Sequence, residues 1–255
     1  VKIFWQAVQN LLGTSNHTTK LIGDAIDEDE ILGQDLGEMG KARLVSFKIH
    51  KLMCATYFGE YEVGADLVEG AMDDIVVQFA GLAMLPMAAF YGGFCCYAAA
   101  SDKTSGRSKS KRQRYLRGGR KCQKMLKGWT QTFNPNYTHN LKLLVAEEER
   151  CHGKAEKAIA SYRRAVQWAN QQGIMHDQAL ASERLATLLL EVNNAKSNGS
   201  AKGGPRCHAD GTAGDADASC DGRREMKDSI KLYRLWGANG KVKASEAMKN
   251  KLWGS

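Results

Sequence analysis

Small, large and small residues recur at helical intervals in three separate stretches of the chain. One copy reads Gly153, Ala158, Tyr162 and Ala165, with Ala146 in the helical segment before it; a second reads Gly59, Gly64, Val68 and Ala71. A third, Ser229, Tyr233 and Trp236, lacks the leading glycine. Offsets of five, four and three place a turn glycine first, then three residues on one helix face. Small residues let two helices approach closely and the glycine closes the turn between them, so the pattern predicts helical hairpins stacked on one another.

The elements follow from the same periodicity. A short amphipathic helix is expected over 1–13, ended by Gly13, and helices over 40–58, 61–72, 107–132, 137–152, 154–172, 175–192, 224–237 and 239–252. Pro135 ends the helix before it, because the residue ahead of a proline is driven out of helical geometry. Residues 14–38 carry Asp24, Asp27, Glu28, Asp29, Glu30, Asp35 and Glu38 and read as an acidic linker or weakly ordered turn. The predicted organisation is therefore an N-terminal helix and linker at 1–38 and a helical domain at 39–255. Residues 193–223 hold six glycines and no Leu, Ile, Val, Met or aromatic residue. Such a segment buries too little apolar surface to offset the entropy of ordering it, and reads as a disordered insertion between two helices of one hairpin.

The run from Ile75 to Ser101 has no charged residue in 27 positions, and two readings stay open for it. It is long enough to cross a bilayer, and cations follow directly. Yet only eight of its residues are Leu, Ile, Val or Phe, and it contains Gln78, Pro86, three glycines and seven alanines, which suits a central helix packed on all sides.

Composition sharpens the class. Three prolines in 255 residues favour an all-helical chain. The net charge of +8 is concentrated: between Lys103 and Lys127 there are eleven Lys and Arg and no acid, so the remainder is mildly acidic. On a helix beginning near Arg107, Leu116, Gly119, Cys122, Leu126 and Trp129 form the buried stripe. Lys111, Arg114, Arg117, Arg120, Lys121 and Lys124 are left as a candidate partner-binding face, partly neutralised by the acidic 24–38 segment. Only Tyr115 stands among these cations as a candidate exposed aromatic, which argues against nucleic acid. The seven cysteines make no regular disulfide framework; Cys54, Cys95, Cys96 and Cys122 read as small core residues, and a reducing cytoplasmic compartment fits best. Val1 in place of methionine suggests a piece of a longer protein.

Candidate chemistry is sparse. Cys151, His152, Cys207, His208 and Cys220 lack the paired spacing of a zinc site. His139 lies on a face that should pack, and reads as a hydrogen-bonded structural histidine. Gly237 to Lys241 departs from a phosphate loop in glycine spacing and lacks the following Ser or Thr. No catalytic residue, metal ligand or cofactor site is expected.

Over roughly 40–250, and most specifically over 134–192, the chain resembles the tetratricopeptide-like helical region of large multidomain signalling proteins. The resemblance is carried by Asn136, His139, Leu143, Leu144, Ala146, Glu147, Gly153, Lys154, Ala158, Tyr162, Ala165, Gly173, Ile174, Asp177, Ala179 to Ala181 and Glu183. It resumes at Leu232, Tyr233, Trp236, Gly237, Ala238, Gly240, Lys241 and Val242. In that family the region lies between an AAA-type ATPase, often preceded by a protein kinase, and a sensor histidine kinase or cyclase. The resemblance implies an all-α, tetratricopeptide-type solenoid of irregular repeat length. It also implies a non-catalytic interaction and coupling role toward a partner protein or neighbouring domains. The alternative of another class is a membrane-anchored signalling fragment with its span at 75–101.

Overall fold

The computed structural model describes residues 1–33, 37–78, 84–102, 106–131, 135–199 and 217–253. Among them the chain forms eleven α-helices: α1 Lys2–Leu12, α2 Glu28–Gly33, α3 Gly37–Phe58, α4 Tyr61–Gln78, α5 Met84–Ser101, α6 Lys109–Gln131, α7 Thr138–Cys151, α8 Ala155–Gln171, α9 Met175–Gly199, α10 Asp217–Trp236 and α11 Asn239–Trp253. A 3₁₀ turn, Pro135–Tyr137, leads into α7. No strand is present among the described residues, and the sole bridge is Ile22 with Asp27. The all-α class expected from the sequence is therefore observed.

From α3 onward each helix packs on the next. Tyr162 of α8 reaches back to Glu147 of α7 at 2.6 Å. Gly64 of α4 faces Ala55 of α3 and Cys95 of α5, and Gly119 of α6 faces the ring of Tyr97 of α5. At Gly153 the backbone takes φ 72, and Lys154 N–H bonds back to Glu149 O at 2.9 Å, the left-handed helix ending that only glycine adopts without strain.

The apolar run resolves into a packing centre. α4 continues to Gln78 and α5 begins at Met84, with 79–83 outside the described residues. Every residue of α5 from Leu85 to Ala100 is buried except Met87. Helices α3, α4, α6 and α7 all pack on α5, and its alanines, glycines and cysteines are what allow so many neighbours. No helix among the described residues is long and apolar enough to cross a membrane.

Three segments differ from expectation. Residues 14–33 are packed against the body: Leu21, Ile26 and Ile31 are buried, and the side chains of Gln6 and Asn10 in α1 hold the loop carbonyls of Ile22, Thr18 and Lys20. The buried Glu28 carboxylate accepts from Leu21 N–H at 2.7 Å and pairs with Lys51 of α3 at 2.6 Å. Counting acids predicted a linker; the few apolar residues among them decide the packing. Second, residues 193–199 prolong α9 and 217–223 open α10. The ends of the expected insertion are therefore helical, while 200–216 lies outside the described residues. Third, the chain closes on itself. α1 packs on α3 and α11, and a Cβ on Gly240 would stand 2.8 Å from the Cα of Gly13. A linear repeat array has no such contact, because each repeat touches only its neighbours.

Candidate functional site

The turn after α3, the end of α5 and the turn after α7 converge on one side of α9 and leave a cleft of about 710 Å³ between them. Gly59 and Tyr61 line it from the first, Ala98, Ser101 and Asp102 from the second, and Gly153 and Ala155 from the third. Helix α9 supplies Arg184, Leu188, Glu191, Val192 and Ala195 along its length.

The floor is an ion pair held between aromatic rings. Arg184 Nε and one terminal nitrogen donate to the two oxygens of Glu147 at 2.6 and 2.8 Å, and the other terminal nitrogen donates to Tyr61 Oη at 3.2 Å. The guanidinium carbon stands 5.0 Å from the centre of the Tyr61 ring and 5.5 Å from that of Phe94. Tyr162 Oη donates to the same carboxylate at 2.6 Å. Glu147 is fully buried. Burial alone would raise its carboxyl, but Arg184, Arg150 and Tyr162 outweigh it and hold the group below the ordinary glutamate value. At the rim, Arg150 pairs with Glu191 and donates to Thr187 at 3.2 Å.

Two further buried acids sit on the same helix. The Asp177 carboxylate receives Asn140 Nδ2 at 2.8 Å, His139 Nε2 at 2.7 Å and Tyr57 Oη at 3.3 Å. His176 beside it stacks on Trp236 at 5.1 Å. Burial pushes the Asp177 carboxyl up, yet His139 and the other partners bring it below the usual aspartate value. Glu183 takes Lys241 Nζ at 2.8 Å and Ser245 Oγ at 2.9 Å, with Lys241 only 1% exposed. α9 is thus tied to α3, α4, α7 and α11 through these side chains.

This arrangement limits the chemistry. A His–Asp pair works as a general base when the other ring nitrogen faces a nucleophile. His139 Nδ1 is buried and meets no hydrogen-bond partner among the described residues. Burial pushes the Cys54, Cys95 and Cys122 thiols up to about 12 and that of Cys151 to about 11, well outside thiolate range at neutral pH. No group of three His, Cys, Asp or Glu among the described residues is arranged to hold a metal ion; Cys207 and His208 lie outside them.

The structure places the repeat-packing candidates as follows. Gly64, Ala71, Ala146, Ala158, Tyr162, Ala165 and Tyr233 are buried, Trp236 is half-buried, and Gly59 and Gly153 sit at exposed turns. Tyr233 and Trp236 pack on Tyr57 of α3 at ring distances of 6.3 and 5.3 Å, joining the third copy to the first half of the molecule.

The basic face is not one surface. Arg107 and Lys111 pair with Glu62 at 3.1 and 2.5 Å, Lys111 also with Asp66 at 3.5 Å, Arg114 with Glu69 at 3.0 Å, and Lys121 with Asp73. The neutralising acids belong to α4 rather than to the 24–38 segment, where Glu28 and Asp29 pair with Lys51 and Lys20. Lys111, Arg114 and Lys121 are therefore an internal zipper, and Arg117, Arg120 and Lys124 remain exposed. Tyr115 is 1% exposed and donates to Asp66 at 2.6 Å, so it is no stacking platform. Its helical position one residue before Leu116 was the signal: it stands on the same face as Cys122.

Sequence reasoning missed the cleft and its Glu147–Arg184 floor. The one available signal was that Glu147, Asp177 and Glu183 occupy positions flanked by small or apolar residues in helices with a buried face. No protein-family model, curated protein or solved structure matches the chain.

Proposed function

We infer that the chain is a non-catalytic, tetratricopeptide-type interaction module that takes a segment of a partner protein, or of a neighbouring domain in a longer signalling chain, into the cleft along α9. The observation that carries this reading is the cleft itself. Its walls are Leu188, Val192, Ala98, Ala155 and Ala195, and its charges are already paired within the chain. Apolar walls with satisfied polar groups favour shape-driven docking of a side-chain row. The packing of each helix from α3 onward on the next, and the burial of Gly64, Ala71, Ala158, Tyr162 and Ala165, support the tetratricopeptide-type reading. The commitment of the buried acids to structural partners supports a role without turnover.

The test is a photo-reactive amino acid placed at Val192, inside the cleft, and separately at Leu235, which is exposed on α10. Cross-linking in the cells that make the protein should join Val192 to one defined segment and should vanish when Ala195→Trp fills the cleft. Equal cross-linking from Leu235, persistence through Ala195→Trp, or turnover by the purified chain overturns the reading.

A further inference from the structure

Helix α6 divides its surface three ways. Tyr115, Leu116, Gly119, Cys122 and Leu126 are buried. Lys111, Arg114 and Lys121 face the acids of α4. The third face carries Lys109, Arg117, Arg120, Lys124 and Lys127, which fall within about 80° of one another at 100° per residue. All five are exposed, and none has an ion-pair partner among the described residues. They extend over about 27 Å of helix. The other residues in this arc are Gln113 and Gln131, so it holds neither an aromatic nor a large aliphatic side chain.

We propose that this outward stripe of α6 docks an acidic α-helix of a partner protein, one with carboxylates at three- and four-residue spacing. The molecule already contains the matching half. α4 lies alongside α6 and presents Glu62, Asp66, Glu69 and Asp73 at spacings of four, three and four to the neighbouring cations. Arg117, Arg120, Lys124 and Lys127 stand three, four and three residues apart, a spacing that matches carboxylates set at three- and four-residue intervals on a facing helix. A membrane surface would be met by an apolar wedge beside the cations, and single-stranded nucleic acid by aromatic platforms; the stripe has neither. The exposed large hydrophobic residues of the described chain lie on other helices. The proposal rests on the interaction-module reading and names a second partner surface for it, since no residue of the stripe lines the cleft.

The test uses a helix-stabilised synthetic peptide with glutamates along one face, and a second peptide of identical composition with the glutamates scattered round the helix. Anionic lipid vesicles and a single-stranded oligonucleotide serve as competing probes. The striped peptide should bind the full chain, should lose affinity by about tenfold or more with Arg117→Glu, Arg120→Glu and Lys124→Glu combined, and should weaken between ~50 and ~300 mM salt. These side chains are exposed and form no ion pair among the described residues, so circular dichroism should show the triple variant folded. Lys109→Gln, at the end of the stripe, should give a smaller loss. Equal binding of the scattered peptide, or tighter stripe-dependent binding of vesicles or oligonucleotide, overturns the proposal. The cross-link at Val192 is read independently, so loss of one surface leaves the other intact.

Discussion

At the residue scale the protein concentrates its electrostatic risk on α9, where Asp177, Glu183 and Arg184 are all buried. A buried ion pair adds little over an apolar pair of the same volume, but removing one member leaves an uncompensated charge. Glu147→Gln is therefore expected to cost about 3–5 kcal/mol in urea unfolding, since Arg184 stays buried. Replacing both with methionine should restore much of that. Glu147 and Asp177 contribute to the acid limb of stability. The Glu147 and Asp177 carboxyls are held below their ordinary values of 4.5 and 3.8 in the folded chain. The unfolded chain takes up those protons first, so the stabilisation is complete above about pH 4.5 and drains away as pH falls below it. Unfolding profiles followed from pH 7 to 2 should drop less steeply in Glu147→Gln than in the parent. A parallel drop would place acid sensitivity elsewhere.

Close approach is what the helices themselves require. A Cβ at Gly64 would stand 2.4 Å from Cys95 Sγ and 2.7 Å from its Cβ. Both are atoms of a short side chain in the fully buried α5, which has nowhere to move. Gly64→Ala should then destabilise by about 1–3 kcal/mol. Gly70, on the same helix, meets nothing within 4 Å. There the substitution only removes backbone freedom from the unfolded chain, so Gly70→Ala should stabilise by about 0.5–1 kcal/mol. Opposite signs in the melting temperatures of the two variants are the expected result, and two losses would refute the packing argument.

For the whole molecule, closure is the distinguishing feature. Gly13 and Gly240 bring the backbones of the first and last helices into contact, and a Cβ on Gly240 would stand 2.7 Å from Asn10 O. Gly240→Ala is expected to raise hydrogen exchange in α1 and α11 together, by prising apart an interface that both share. Exchange rising in α11 alone would mean the ends are held by something other than this contact.

Much of this architecture was legible beforehand. The glycines at Gly59, Gly153 and Gly237 marked helix ends, and the elements from α7 to α9 begin within a residue or two of where periodicity put them. The run containing α5 read either as a buried central helix or as a span, because a bilayer and a protein interior ask for similar composition; its packing among α3, α4, α6 and α7 shows the buried helix. The extensions of α9 and α10 into a glycine-rich stretch were not legible, since a helix end is set by what packs beside it. Residues 200–216 lie outside the described part. The basic helix was visible as charge, while its division between an internal zipper and an outward stripe was not.

The distinction has one physical cause. Periodicity, turn glycines and the scarcity of proline are local properties, so the chain alone determined that it would be helical and where most of its helices begin and end. Which acid meets which base, what surrounds α5 and whether the ends touch depend on residues far apart along the chain. Glu147 and Arg184, Glu62 and Lys111, Gly13 and Gly240 become neighbours only when rigid helices settle on one another, and only the tertiary structure decided those pairings.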